Sequence, residues 1–254
     1  MKTAVIIPAR YGSTRLPGKP LLRETGKYLI QHVVERACRS RLAASVVVAT
    51  DDPRIVAAVQ SFHADVIMTR RDHPSGTDRV AEVAARLDAD IIVNLQGDEP
   101  LIDPHAIDFT AELLLRHRLA DMSTLAVPLA NLEQWRNPNC VKVVVGDSGQ
   151  ALYFSRSPIP FVRDGEPNFG GQPFQFFQHL GIYAYRRSFL LQLAKTPTSP
   201  LEQLEKLEQL RVLAMGKRIQ LGIVREHSIG VDTWQDYRRF VETYRRADSR
   251  RAAA

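Results

Sequence analysis

Two cysteines among 254 residues, Cys38 and Cys140, are too few for a disulfide framework, and neither sits in a CxxC pair or a Cys/His cluster. A disulfide-stapled scaffold and a structural zinc site are therefore excluded, and two buried structural thiols in a reducing compartment are expected. Long apolar runs are missing too. No stretch approaches the ~18 residues of a membrane span, and Met1-Lys2-Thr3 leads into only "AVII" before Pro8, too short for a signal-peptide core. The expectation is a cytoplasmic protein with no membrane partner. Aromatic-interleaved basic repeats and helix-turn-helix patterns are also lacking, so no nucleic-acid partner is expected. The net charge of +6 does not change this, because the tail "RRADSRR" (Arg245 to Arg251) supplies +3 of it and reads as a solvated basic end, 245–254.

What is present is the alternation of an α/β protein. β-branched runs, "AVII", "SVVVAT", "DVIMT" and "DIIVNLQ", alternate with helical patterns such as "YLIQHVVERAC", whose Leu29, Ile30, Val33, Val34 and Ala37 share one face. Asp52-Pro53 has the chemistry to cap and open a helix. Strands apolar on both faces and joined by amphipathic helices predict a doubly wound, mostly parallel sheet. After about residue 120 the pattern becomes strand-rich ("MSTLAVP", "VKVVV", "ALYFSR", "LGIYAY"), which predicts a mixed sheet or a smaller subdomain. Residues 161–178, rich in Gly, Pro and Phe, predict a long loop of functional or subunit-contact character. "LEQLEKLEQLRVLAMG" predicts one helix with a leucine stripe at 201, 204, 207, 210 and 213, ended by Gly216.

Two segments carry chemistry. "IIPARYGSTRLPGKP" places Arg10, Arg15 and Lys19 among glycines and prolines directly after the first strand. It is not a P-loop, because five residues separate Gly12 from Gly18 and Pro20 follows Lys19, and it is not GxGxxG. It shares their physics: glycines free backbone N–H groups to face an anion while Arg and Lys neutralise it. Loops at the carboxyl ends of parallel strands are where such sheets bind ligands. The second segment, "VNLQGDEP", ends an apolar strand on carboxylates. Asp98 there and the distant Asp232 of "IGVDT" are each readable as a turn or helix cap, or together as oxygen ligands for Mg²⁺.

"IPARYGSTRLPGKPL" resembles the N-terminal signature of the nucleotide-sugar cytidylyltransferases, and within them the branch acting on 3-deoxy-manno-octulosonate (Kdo). "VATDD", "HPSGTDR", "VNLQGDEPLI", "NPNCVKVV", "ALYFSRSPIP", "HLGIYAYR", "SPLEQLEKLEQLR" and "GVDT" resemble that family's later blocks, in order, from residue 4 to about 233. The resemblance implies a nucleotide-diphospho-sugar-transferase-like fold in one domain, 1–244. Its nucleotide half would be about 1–120 and its sugar-binding and dimerisation half about 121–244. It implies the reaction CTP + Kdo → CMP-Kdo + pyrophosphate with Mg²⁺, for lipopolysaccharide biosynthesis, in a homodimer. 8-Amino-Kdo and sialic acid are the alternative sugar acids. Carried residue by residue, it makes four residues catalytic: Asp98 and Asp232 as the Mg²⁺ ligands, and Arg10 and Lys19 as holders of the triphosphate. It assigns Pro8, Ser13, Ser75, Gly76, Arg79 and Gln96 to CTP, and Arg15, Gln96, Arg156, His179, Tyr183, Glu208 and Gln209 to Kdo. Glu202 and Glu205 are expected to be ordinary solvated carboxylates.

Overall fold

A computed structural model describes residues 1–12, 15–171, 176–225 and 230–252. The chain forms two compact units, Met1–Asp108 with Ser228–Ala254, and Phe109–His227. The change falls at 108/109 rather than near residue 120, and the C-terminal segment rejoins the first unit.

The first unit is built on β1 (Thr3–Ala9), α1 (Leu29–Ala37), β2 (Ala43–Thr50), α2 (Pro53–Ser61), β3 (Asp65–Met68), α3 (Gly76–Ala84) and β4 (Ile91–Asn94). Its strands run parallel in the order β3-β2-β1-β4. Val5 of β1 pairs with Val46 on one side and Val93 on the other, and Val5, Ile6 and Ile7 are wholly buried. The chain steps outward from β1 to β3, then returns to lay β4 on the free side of β1. The strand order therefore reverses between β1 and β4, the place where open parallel sheets accept ligands beyond their carboxyl ends. All five apolar residues expected on the inner face of α1 are buried. Asp52 caps α2, accepting the Arg54 N–H at 2.9 Å, and Pro53 opens the helix.

The boundary between the units falls within α4 (Pro104–Arg116). The second unit then contains β5 (Met122–Pro128), α5 (Leu132–Arg136), β6 (Lys142–Val145), β7 (Ala151–Ser155), β8 (Phe177–Arg186), α6 (Arg187–Leu193), α7 (Pro200–Glu205), α8 (Gln209–Ala214) and β9 (Ile219–Ile223). Its strands are mixed: β5 is antiparallel to β8 and parallel to β9, while β6 is antiparallel to β7 and β8. Helix α9 (Trp234–Ala252) closes the first unit.

Four expectations are corrected. Cys38 is exposed and Cys140 half-buried, so neither is a core thiol; Cys38 lies just past the last buried turn of α1. The single leucine helix is two short helices, because Lys206 takes the left-handed conformation (φ 53°) and breaks the turn. Leu201 and Leu204 consequently face solvent while Leu207 and Leu210 are buried. Glu202 is buried in an ion pair with Arg211, and Glu205 accepts from Ser155 Oγ at 2.6 Å and the Arg156 N–H at 2.9 Å, so neither is a solvated carboxylate. The basic tail is not a segment apart from the fold, since α9 runs into it as far as Ala252, but Arg245, Arg246 and Asp248 are exposed, as a solvated end is. Of the expected loop 161–178, residues 161–171 and Phe176 are irregular, with Phe161 exposed and Phe176 packed on Trp135, while Phe177 and Gln178 already belong to β8; residues 172–175 lie outside the described ones.

Candidate functional site

The loop after β1 is fixed at both ends before any charge is considered. The Gly18 N–H reaches the Tyr11 carbonyl at 3.1 Å, and Gly18 adopts φ 65° beneath the Tyr11 ring, a conformation that favours glycine. The Arg54 guanidinium lies 3.3 Å from the centroid of the Tyr11 ring while also pairing with Asp52 at 2.6 Å, which ties the loop to the start of α2. Leu16 is wholly buried in a cluster with Leu29 of α1 and Val231, Tyr237, Phe240 and Val241 around α9. That anchor carries a 3-10 turn, Lys19–Leu21, to the segment preceding α9.

The consequence is a convergence of charge. Lys19 Nζ donates to Asp98 Oδ2 at 2.6 Å, to the Val231 carbonyl at 2.9 Å and to Asp232 Oδ1 at 3.3 Å. Arg15 Nη2 approaches Asp232 Oδ2 at 3.3 Å from the exposed side. Asp98 reaches this point because Gly97 lets the turn after β4 press on β1; a Cβ at 97 would stand 2.8 Å from the Pro8 carbonyl oxygen. The capping question for Asp232 is resolved by its neighbours. Thr233 and Asp236 cap α9 reciprocally: Asp236 Oδ2 accepts the Thr233 N–H at 2.9 Å, and Thr233 Oγ1 accepts the Asp236 N–H at 3.2 Å. The side chain of Asp232 is thereby left for Lys19 and Arg15.

Beside this convergence, Arg10 is exposed and its Nη2 donates to the His73 carbonyl at 3.2 Å, joining the loop to the "HPSGTDR" segment. His73 itself is fastened to Glu82 at 2.5 Å. Ser75 caps α3, its Oγ accepting the Asp78 N–H at 3.1 Å and donating to Asp78 Oδ2 at 2.7 Å, while Gly76 begins the helix against Pro8. Arg79 is wholly buried, paired with Asp51 at 3.0 Å and bonded to Thr69, which gives it a scaffold position under the segment. Gln96 is half-buried at the end of β4. Ser13 lies outside the described residues.

A second constellation belongs to the other unit. His179 is buried, within 3.0 Å of Thr124 Oγ1 and edge-on to Phe154, and burial pulls its pKa down to about 3. Tyr183 stands 5.4 Å from it ring to ring, and its hydroxyl donates to Gln209 Oε1 at 3.5 Å. Burial, then the Glu208 charge, push the Tyr183 hydroxyl up, so it stays protonated as a donor. Gln209 is buried, and among the described residues its Nε2 has no hydrogen-bond partner. Arg156 does not point a free fork at this group. Its Nε donates to the Glu205 carbonyl at 2.7 Å and its Nη1 to the Pro138 carbonyl at 3.0 Å, a strap across the Lys206 break that precedes Glu208.

The depressed His179 pKa has a stability consequence. An unfolded histidine (~6.5) binds a proton that the folded one refuses, so stability falls as pH drops from about 6.5 toward 3 and is flat above. His32, buried beside Phe240 and lowered to about 4, adds in the same direction. Imidazole NMR should show His179 neutral at pH 5; a titration midpoint near 6.5 would contradict its burial.

Several contributors were invisible in the sequence: the Val231 and His73 carbonyls, Leu16, and the Tyr11–Arg54 stack. One signal was legible, the Ser199-Pro200-Leu201-Glu202 capping box, in which Ser199 Oγ accepts the Glu202 N–H at 3.2 Å and Glu202 Oε2 accepts the Ser199 N–H at 3.2 Å.

The cytidylyltransferase family model matches residues 4–219. The 3-deoxy-manno-octulosonate cytidylyltransferase of Geobacter sulfurreducens is 49% identical over 95% of this chain and 99% of its own. That of Geotalea daltonii is 51% identical over 95% and 98%. Among solved structures, CMP:2-keto-3-deoxy-manno-octonic acid synthetase complexed with CTP superposes with a TM-score of 0.90 at 44% identity, covering 97% of this chain and 100% of that one. A cytidylyltransferase from Leptospira borgpetersenii, 21% identical with a TM-score of 0.62 over 93% of this chain and 84% of its own, shares the fold.

Proposed function

The chain belongs to the cytidylyltransferase family, and from that premise we propose that it activates Kdo with CTP, giving CMP-Kdo and pyrophosphate. The observation that carries this reading is the gathering of Lys19, Arg15, Asp98 and Asp232 at the reversal point of the parallel sheet, in a chain about half identical to enzymes of that name.

The sugar's anomeric hydroxyl attacks the α-phosphorus and pyrophosphate leaves in line, a transfer that depends on alignment and charge neutralisation more than on covalent help. Arg10 and Lys19 neutralise the triphosphate, with Arg15 at the exposed side of Asp232. The turn Ser75–Gly76, held by its own cap and by Arg10, offers backbone for the base, while Arg79 supports it from below. On the sugar side, Tyr183 and Gln209 are uncharged hydrogen-bond partners for hydroxyls, and neutral His179 holds its proton without acting as an acid near pH 7. Arg156 keeps Glu208 and Gln209 in place through the Lys206 turn.

The donor chemistry at Asp98 and Asp232 fits Mg²⁺: two carboxylates, hard oxygen ligands, already converge on a cation, the Lys19 ammonium. Bound there with nucleotide phosphates, Mg²⁺ would polarise the α-phosphate and lower the pKa of the incoming hydroxyl. With the hydroxyl so acidified, its proton would pass to solvent without a side-chain base.

The test is pyrophosphate release with Mg²⁺, each of the four NTPs, and Kdo, 8-amino-Kdo or sialic acid. Release with CTP and Kdo is expected, and none with CTP and any Kdo sugar overturns the reading. The reading places the protein in the cytoplasm on the route to lipopolysaccharide. No helix among the described residues is long and apolar enough to cross a membrane. Phe161, Leu152 and Leu204 of the second unit are exposed at 83%, 60% and 80%, which supports a homodimer. Sedimentation at micromolar concentration should give the mass of two chains; one chain would remove that element.

A further inference from the structure

Lys19 is over-committed for a residue whose only task is to meet a triphosphate. Its ammonium has three N–H donors, and three acceptors surround it: Asp98 Oδ2, the Val231 carbonyl and Asp232 Oδ1. Its side chain is 15% exposed, against 28% and 49% for the two aspartates, so the cation sits deeper than the carboxylates it bridges. An ammonium and a divalent ion cannot share these oxygens at contact distance, because the two positive charges would repel across a few ångströms of partly desolvated space.

We infer that Lys19 is a placeholder for the metal: in the nucleotide-free protein its ammonium occupies the Asp98–Asp232 pair, and the triphosphate of the incoming nucleotide draws it away and frees the pair for a divalent cation. This rests on the reading of Asp98 and Asp232 as metal ligands. The main chain is built for a swing confined to the side chain. Leu16 and Pro20 are buried on either side, and the turn is closed by Leu21 N–H on the Gly18 carbonyl at 2.8 Å and Leu22 N–H on the Lys19 carbonyl at 3.2 Å. Only the four-carbon stem is left to move. The arrangement orders the reactants, nucleotide before metal at this pair, and keeps the carboxylates charge-compensated in the meantime. Linkage then requires that nucleotide and metal each raise the other's affinity by the same factor.

Mn²⁺ titrated into the full chain without nucleotide, with free Mn²⁺ followed by electron paramagnetic resonance, tests this directly. Wild type should bind Mn²⁺ weakly. Lys19→Met, which keeps length and loses charge, should bind at least about tenfold more tightly, and Lys19→Gln should do the same if Met disturbs packing. Adding Asp98→Asn to Lys19→Met should abolish the gain. Equal nucleotide-free affinities for wild type and both Lys19 variants, with Asp98→Asn weakening all of them, would overturn the placeholder role and leave the metal site standing. Failure of wild type to bind Mn²⁺ even with CTP present would overturn the metal reading itself, and the placeholder with it.

Discussion

Asp98→Asn should lower kcat for CTP-dependent pyrophosphate release by about a thousandfold or more while the fold persists. The substitution is isosteric but removes the charge that now meets Lys19 Nζ at 2.6 Å. Lys19 keeps the Val231 carbonyl and Asp232, and both aspartates are partly exposed, so the stability cost should be only about 1 kcal/mol. Asp232→Asn should behave alike, because the Thr233–Asp236 cap, and not Asp232, holds the start of α9. Single-turnover kinetics beside a thermal melt separates the two effects. Near-normal turnover in either variant would remove that residue from the reaction.

The largest stability effect is expected in the second unit. Glu202→Ala leaves Arg211 charged, 7% exposed and without the carboxylate that now lies 2.8 Å away, a loss of about 3–5 kcal/mol. It also removes one half of the α7 capping box. Urea unfolding monitored in that unit should show an earlier midpoint; a loss below about 1 kcal/mol would mean the pair is not what secures α7 to α8. Because Gln209 opens α8, the same variant should raise KM for the sugar acid. CTP affinity should change little, since the groups assigned to the nucleotide belong to the other unit. A weakened CTP affinity with an unchanged sugar KM would contradict that assignment.

These effects differ in how far the sequence foretold them. The strands and helices of the first unit were readable because their burial is local and periodic: five residues of α1 at helical spacing, and β-branched runs for β1, β2 and β4. Asp52-Pro53 was readable because a cap is satisfied within its own turn. The α7–α8 break was not readable, since leucines every three residues suit a continuous helix. The left-handed Lys206, strapped by Arg156 from just past the end of β7, interrupts it. Glu202 and Glu205 looked solvated for the same reason: Arg211 comes from the helix beyond that break, and Ser155 is fifty positions back in the chain.

By itself, then, the sequence determined the parallel sheet, the cation-bearing loop after its first strand, and the two carboxylate-bearing segments, all properties of short stretches. What the tertiary structure alone decided is their meeting. Leu16 buried with Val231 and Tyr237, Gly97 pressed on the Pro8 carbonyl, and the reversal of strand order beside β1 bring Lys19 to Asp98 and Asp232 across 79 and 213 positions of chain. Packing of apolar surface fixes those separations, and no local preference of a lysine or an aspartate encodes them.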